Sequence, residues 1–233
     1  SGNVLNLDMK KAAKVAVEEN KRVSSLIGIK EANRVTTVKP AGTTSLTVGT
    51  SSGVHAWHSP YYIRRIRVGK NEPIYTYLLI NHPDLVKDEF FRPHDTAVIE
   101  VPQKAPQGAI NRSEPALSLL ERIRKITSEW VKPGHRRGQN THNVSATVTI
   151  KDNEWEEVGK WMWENRSCYN GLSVLPFDGG SYKQAPFEKC TKATYEEMHK
   201  KLENVDLTKV VEMEDNTDLK GELACSGGQC EIT

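Results

Sequence analysis

The spacing of apolar residues predicts a helix near the start of the chain. Between Leu7 and Ile27, apolar side chains recur every three to four residues, which places them near one face of a helix. Gly28 follows directly, and glycine commonly ends a helix because it adopts the left-handed conformation without strain. We therefore predict one helix over residues 7–27.

A second periodic stretch predicts two strands joined by a helix. Residues 144–150 alternate between apolar and polar side chains, which is the two-residue period of a strand. Asp152 is placed to cap a helix that presents Trp155 and Val158 on one face, and LSVLP, residues 172–176, resembles another strand. Because the connections are short, these elements form a βαβ unit. The predicted fold class is α/β with a parallel sheet as its scaffold.

The remaining stretches give weaker patterns. NRVTTVKP (33–40), YYIRRIRVG (61–69) and TAVIEV (96–101) predict strands, and IYTYLLI (74–80) predicts a helix. Ser113, with Pro115 in the first turn, predicts the start of another helix. The apolar stripe of that helix is expected to pack in the core; its residues are Leu119, Ile123, Ile126 and Trp130.

Near the end of the chain the character of the sequence changes. Residues 177–190 are rich in glycine and polar groups and predict a loop. Thr194 and Glu197 form a capping box at the start of a short helix. After Asn204 the sequence is acidic and poor in apolar residues. We therefore predict a folded body over residues 1–204 and a mobile arm over residues 205–233.

Composition indicates a globular protein of 233 residues with 37% hydrophobic and 27% charged residues. The first residues lack the apolar segment of a secretory signal, and no apolar run is long enough to span a membrane. With four cysteines, the chain is not a disulfide scaffold, which favours a cytoplasmic location. The net charge of +2 gives no indication of a nucleic-acid partner.

Two cysteines lie close together at the end of the chain. Cys225 and Cys230 flank SGGQ in the ending ACSGGQCEIT. A disulfide closing so small a loop stabilises a fold little, so thiol–disulfide exchange suits the pair better than a structural role. Zinc binding is the alternative, but the sequence contains no C-x-x-C motif, and Cys168 and Cys190 stand apart. We interpret those two as structural.

Two further stretches suit an anionic or planar ligand. PAGTTS, residues 40–45, brings glycine, hydroxyls and unhindered backbone N–H groups together, which favours phosphate binding, although an ordinary polar turn has the same composition. HAWHSPYYIRRIR, residues 55–67, combines aromatic rings with three arginines. A strand with a solvated arginine face is the alternative for this second stretch.

In combination, these motifs resemble one enzyme family. PAGTTSLTVGTSSGVHAWHSPYYIRRIR, GLSVLPFDGG and the terminal CSGGQCEIT, in this order, are similar to the C-terminal part of the monomeric, adenosylcobalamin-dependent (class II) ribonucleoside-triphosphate reductases. The resemblance implies a ten-stranded α/β barrel, ribonucleoside triphosphate as substrate, adenosylcobalamin as cofactor and thioredoxin as reductant. In that family, a cysteine radical initiates reduction of the ribose, and a cysteine pair near the C-terminus re-reduces the active site.

The resemblance also implies site residues in this chain. Cys225 and Cys230 match the redox shuttle pair. The substrate-phosphate loop matches Pro40, Ala41, Gly42, Thr43, Thr44 and Ser45. Cobalamin contacts are expected from Tyr61, Tyr62, Arg64, Arg65, Phe177, Asp178, Gly179 and Gly180.

One departure limits what this chain is expected to do alone. The family's radical-forming cysteine lies in an Asn-Pro-Cys-type motif, which is missing here. We therefore expect the chain to be inactive without the N-terminal part of a reductase. Two other hypotheses stay open at this point. One is a non-catalytic module that binds cobalamin or nucleotide, and the other is a thiol redox protein of unrelated type.

Overall fold

The computed structural model describes residues 7–177 and 182–212, which form two compact units. Within those ranges, the first unit comprises residues 7–57 and 108–177, and the second comprises residues 58–107 and 182–212. Both contain helices and strands, which confirms the α/β content. None of the helices in these ranges is long and apolar enough to cross a membrane.

Helices and strands are interspersed along the described residues. The helices are α1 (Met9–Ile27), α2 (Thr43–Thr47), α3 (Pro73–Asn81), α4 (Ala116–Ile126), α5 (Trp155–Glu164) and α6 (Lys192–Leu202). The strands are β1 (Tyr61–Gly69), β2 (Val86–Asp88), β3 (Thr96–Lys104), β4 (Thr147–Ile150), β5 (Ser173–Pro176) and β6 (Phe187–Lys189). Short helical turns lie at Pro83–Leu85, Thr127–Val131 and Leu207–Lys209.

The predicted βαβ unit is present in the first unit. Strands β4 and β5 are parallel, with Thr147 opposite Ser173, and α5 connects them. Val148 and Ile150 are fully buried and pack against Val158 of α5 and the apolar face of α4. The predicted stripe of α4 is confirmed as core, because Leu119, Ile123 and Ile126 are all buried.

The boundaries of α1 follow the prediction closely. The Asp8 side chain accepts a hydrogen bond from the Lys11 N–H at 3.0 Å and thereby satisfies one of the free donors of the first turn. Gly28 adopts a φ of 74° and donates its N–H to the Ser24 carbonyl. This left-handed residue ends the helix where the sequence predicted.

Three predicted helix caps are wrong. Pro115, not Ser113, holds the N-cap position of α4, and Glu154, not Asp152, holds that of α5. The Glu154 carboxylate accepts the N–H of Ala116 at 3.1 Å and of Lys151 at 3.0 Å, so a long side chain from another element replaces a local cap. Helix α6 begins one turn earlier than predicted, since Thr191 accepts the N–H of Thr194.

The second unit corrects the expectation of a parallel scaffold. Its sheet has the order β2-β3-β1-β6, and every neighbouring pair is antiparallel. Alternation along a strand identifies the strand but not the direction of its partner, which explains the error. Strand β6 also lies inside the segment 177–190 that was predicted as a loop.

The predicted strand at 33–40 is also wrong. Only isolated bridges occur there, between Arg34 and His135 and between Val38 and Val144. The Thr36 hydroxyl donates a hydrogen bond to the Trp130 carbonyl at 2.6 Å. A side-chain hydrogen bond therefore replaces one of the backbone bonds that a strand would make. The β-branched residues of this segment therefore pack beside the end of α4 without forming a sheet.

A small apolar cluster closes one face of the second unit. Leu78, Leu85 and Ile99 are buried, and Leu202 of α6 packs against them together with Val205. The N–H of Asp206 donates to the Tyr77 hydroxyl at 3.1 Å. Residues 213–233, which include most of the predicted arm, lie outside the described residues. The arm and the ten-stranded barrel therefore stay predictions.

Candidate functional site

The loop of residues 40–45 adopts a backbone conformation that glycine alone accommodates easily. Gly42 has a φ of 55° and a ψ of −122°, a region that residues with a Cβ avoid. Helix α2 begins at the next residue. Gly53 packs against the start of the loop, because a Cβ built there would lie 3.2 Å from the Pro40 nitrogen. The backbone of the following turn thus supports the loop directly.

Ser52 and His55 fix the loop through hydrogen bonds. The Gly42 N–H donates to the Ser52 hydroxyl at 3.0 Å. The carbonyl of Ser52 lies 2.9 Å from His55 Nδ1, while the backbone N–H of Thr147 donates to His55 Nε2 at 3.1 Å. A backbone N–H only donates, so Nε2 is unprotonated and Nδ1 carries the proton of the neutral ring. The ring therefore joins β4 to the segment that holds the loop.

The outer part of the loop remains accessible. Ala41 and Thr44 are exposed, Pro40 and Gly42 are partly buried, and Ser45 is buried. The Ser45 carbonyl accepts the N–H of Thr50 at 2.9 Å, which closes the turn after α2. The loop combines a fixed backbone with exposed small residues, a combination that permits close approach by an anion.

Strand β1 places the four predicted tyrosine and arginine contacts on two opposite faces of the sheet, because successive side chains alternate. Tyr61 and Arg65 share one face, and Tyr62 and Arg64 share the other. Tyr61 is partly exposed, whereas the other three side chains are buried. The sheet therefore does not bring the four together as one surface.

Arg65 is held between two carboxylates. Its Nε lies 2.7 Å from Glu100 of β3, and its NH1 lies 2.6 Å from Glu188 of β6. Lys87 contacts the second oxygen of Glu100 at 2.6 Å. Burial would raise the pKa of Glu100, but hydrogen bonds from Lys87 and Arg65 outweigh it and hold the pKa below its ordinary value. These bonds join all four strands of the sheet.

Tyr62 and Arg64 lie in an aromatic environment on the other face. The ring centroid of Phe187 is 5.8 Å from that of Tyr62, and the Arg64 guanidinium carbon lies 5.2 Å from the same Phe187 centroid. Burial raises the pKa of Tyr62 to about 12, with the charge of Arg64 opposing the shift, and burial lowers the pKa of Arg64. Among the described residues, the Tyr62 hydroxyl has no hydrogen-bond partner.

The remaining predicted site residues are only partly described. Phe177 donates its N–H to the Ile150 carbonyl at 2.8 Å, and the Arg112 guanidinium carbon lies 5.2 Å from the Phe177 ring centroid. Asp178, Gly179, Gly180, Cys225 and Cys230 lie outside the described residues. The predictions for these five positions therefore stay predictions.

Cys168 and Cys190 are free thiols of intermediate burial, and burial raises the pKa of each. Cys168 packs at the edge of the core of the first unit. A raised pKa leaves less of the reactive thiolate at neutral pH. Within the described ranges, no group of three or more histidine, cysteine or acidic residues is arranged to hold a metal ion.

Two structural partners were missed from the sequence. Ser52, in a turn rich in glycine and serine, gives no local signal of its hydrogen bond to Gly42. Glu100 did give a signal, because a carboxylate within the apolar run TAVIEV requires a buried partner. Considering that run together with the arginines of β1 would have predicted the ion pair.

Comparisons with known proteins follow the resemblance seen in the sequence. No family model matches the chain. It is 28% identical over 227 residues to the adenosylcobalamin-dependent ribonucleoside-triphosphate reductase of Lactobacillus acidophilus, covering 94% of this chain and 29% of that protein. The protein of the same name from Lactobacillus leichmannii is 30% identical over 235 residues, again with 94% and 29% covered. The relative from Euglena gracilis is 28% identical over 212 residues, covering 90% of this chain.

The fold agrees with the sequence comparison. The crystal structure of a B12-dependent, class II ribonucleotide reductase matches this chain with a TM-score of 0.72 and 25% identity, covering 87% of this chain and 27% of that one. The chain is similar in sequence and in fold to the class II ribonucleotide reductases. The predicted resemblance is thereby confirmed, and the chain spans less than a third of the length of the relatives it matches.

Proposed function

We propose that this chain is part of an adenosylcobalamin-dependent ribonucleoside-triphosphate reductase. It would supply the substrate-phosphate loop, part of the cofactor site and the thiol pair that re-reduces the active site. The observation that carries the proposal is the alignment of 94% of the chain with reductases of that name. Because the chain spans 29% of their length, turnover requires the rest of a reductase.

The loop of residues 40–45 is proposed to bind the substrate phosphates. Gly42 has no side chain to obstruct an anion, and its N–H is held by a hydrogen bond to the Ser52 hydroxyl. The exposed Thr44 hydroxyl and the backbone N–H groups of the loop beyond Gly42, whose own N–H donates to Ser52, would be the donors. Neutral donors of this kind bind phosphate by hydrogen bonding, without the lysine of a P-loop.

The sheet of the second unit is proposed to contribute to cobalamin binding. The cofactor, when bound, supplies the radical chemistry, and the protein supplies contacts and orientation. The Tyr62 hydroxyl fits this role, because it is a buried donor with no partner among the described residues. Tyr61 is partly exposed, and Arg64 adds a positive charge beside Tyr62. Arg65 is engaged by two carboxylates and would position the strands.

The terminal cysteines are proposed to transfer electrons by thiol–disulfide exchange. The Cys225 and Cys230 thiols would reduce an active-site disulfide to two thiols and become a disulfide themselves, moving two electrons and two protons. Thioredoxin's dithiol would then reduce that disulfide in the same way. The substrate, thioredoxin and the remainder of the enzyme are thus the proposed partners, and a cytoplasmic location suits this chemistry.

The test uses the chain combined with the remaining part of a related reductase. Replacing Cys225 and Cys230 by serine should abolish repeated turnover with thioredoxin, while a single turnover and cobalamin binding survive. Cys168→Ser is the control and should leave turnover unchanged. Undiminished repeated turnover in the double variant would refute the shuttle role. Cobalamin binding without product in the wild-type combination would favour the non-catalytic module.

A further inference from the structure

His55 occupies a connecting position that the proposed function does not use. It lies six residues before β1 in no helix or strand, yet its ring contacts two other segments. One contact reaches the first residue of β4, and the other reaches the backbone of Ser52. All of these groups belong to the first unit.

The two ring bonds require one particular form of the histidine. Nε2 accepts the Thr147 N–H at 3.1 Å, and Nδ1 donates to the Ser52 carbonyl at 2.9 Å. A neutral ring carries a single proton, so only the Nδ1–H tautomer makes both bonds. The backbone N–H of His55 donates to the same Ser52 carbonyl at 3.1 Å, which fixes the turn from a second direction.

Ser52 transmits this constraint to the loop. Its carbonyl is held by His55, and its hydroxyl accepts the Gly42 N–H at 3.0 Å. This bond orients the Ala41–Gly42 peptide beside Gly42, which has the unusual φ of 55° and ψ of −122°. An unbroken chain of hydrogen bonds runs from β4, through the His55 ring and Ser52, to the loop.

We propose that His55 is a positioning residue for the 40–45 loop, acting through Ser52 and anchored to β4 at Thr147. The proposal rests on the proposed phosphate-binding role of that loop. His55 would not touch the phosphates. Its two ring nitrogens have separate tasks: Nε2 anchors the ring, and Nδ1 holds Ser52 where its hydroxyl meets the Gly42 N–H.

Two conservative substitutions separate these tasks. In His55→Asn the side-chain amide NH₂ lies close to the position of Nδ1 and retains the donor to Ser52, but it does not reach Thr147. In His55→Gln the carbonyl oxygen lies close to the position of Nε2 and retains the acceptor for Thr147, but the donor to Ser52 is lost. His142→Gln is the matched control, because His142 Nδ1 lies 3.1 Å from the Thr36 carbonyl and has no bond to the loop or to Ser52 among the described residues.

The first measurement uses inorganic tripolyphosphate as the probe and the 233-residue chain. Loss of one neutral hydrogen bond corresponds to roughly a tenfold change in affinity. We expect His55→Gln to bind tripolyphosphate about tenfold more weakly than wild type, and His55→Asn to remain within about threefold. Thermal stability should fall more in His55→Asn, which loses the anchor to β4. Affinity that simply follows stability across both variants would overturn the proposal.

The second measurement is independent of phosphate binding. Nitrogen-15 NMR of the His55 ring should show the Nδ1–H tautomer, and the Gly42 amide should exchange with solvent about tenfold faster in His55→Gln than in wild type. An Nε2–H tautomer, or unchanged exchange in His55→Gln, would overturn the positioning role. If wild type fails to bind tripolyphosphate while these NMR results hold, the phosphate-loop assignment is wrong and the positioning of the loop by His55 stands.

Discussion

Arg65 and Glu100 form a buried ion pair across two antiparallel strands, with 2.7 Å between Nε and Oε1 and less than a tenth of either side chain exposed. They lie directly opposite each other in the register of β1 and β3. The same guanidinium reaches Glu188 on β6, and the same carboxylate reaches Lys87 on β2. Four strands are thus joined by two central residues.

Removing the charge of Glu100 should destabilise the second unit. In Glu100→Gln, Arg65 keeps Glu188 but loses its most buried partner, and Lys87 loses its carboxylate. Breaking a buried pair from one side costs about 3 kcal/mol of unfolding free energy. Chemical denaturation measures the difference. Glu19→Gln is the control, because its ion pair with Arg22 is exposed, and it should leave the unfolding midpoint unchanged. Equal effects in both variants would contradict the structural role assigned to Glu100.

The same pair predicts a dependence of stability on acid pH. Folding lowers the pKa of Glu100 below its ordinary value of 4.5, so the folded protein holds the charged form more tightly than the unfolded chain does. The stabilisation is therefore complete above about pH 4.5 and is lost as the pH falls through the lower folded pKa. Unfolding midpoints measured from pH 6 to pH 3 should decline less steeply in Glu100→Gln than in wild type. Parallel curves would show that Glu100 does not contribute.

Tyr62→Phe should separate a binding role from a structural one. The hydroxyl is buried without a partner among the described residues, so its removal should leave stability unchanged or raise it by about 1 kcal/mol. If the hydroxyl contacts cobalamin, the affinity for the cofactor in the combined enzyme should fall about tenfold. In an absorbance titration of the tyrosines, the variant should also lose the hydroxyl whose pKa burial raises to about 12 in wild type. A stable variant with unchanged cobalamin affinity would exclude Tyr62 as a contact.

Gly42 and Gly49 provide a matched pair for the loop. Both have positive φ angles, 55° and 69°, and a Cβ at either position would meet no atom within 4 Å. Any effect of alanine therefore comes from the backbone conformation, at a cost of roughly 1–3 kcal/mol. Gly42→Ala should weaken tripolyphosphate binding at least about tenfold, because relief of strain reorients the loop, while Gly49→Ala should bind normally. Equal affinities in the two variants would argue against the phosphate-loop assignment.

The sequence predicted the helices and strands better than the contacts and pairings between them. Helix α1, strands β1 and β3, and the β4–α5–β5 unit follow from periodicity, because burial on one face imposes a fixed repeat. The predicted cap of α4 was wrong because Glu154, which is distant from α4 in sequence, accepts the Ala116 N–H in the first turn of that helix. The antiparallel sheet was missed because strand direction depends on the path of the intervening chain. The candidate loop was found by composition, but its support by His55 depends on a contact with Thr147, 92 positions away.

The most direct test of the central claim is reconstitution. The chain would be mixed with the remaining part of a related class II reductase, adenosylcobalamin, thioredoxin and a ribonucleoside triphosphate, and deoxyribonucleotide would be measured beside each part alone. We expect a complex that forms product repeatedly, with no product from either part alone. A complex that binds cobalamin yet forms no deoxyribonucleotide would contradict the claim that this chain serves in a reductase.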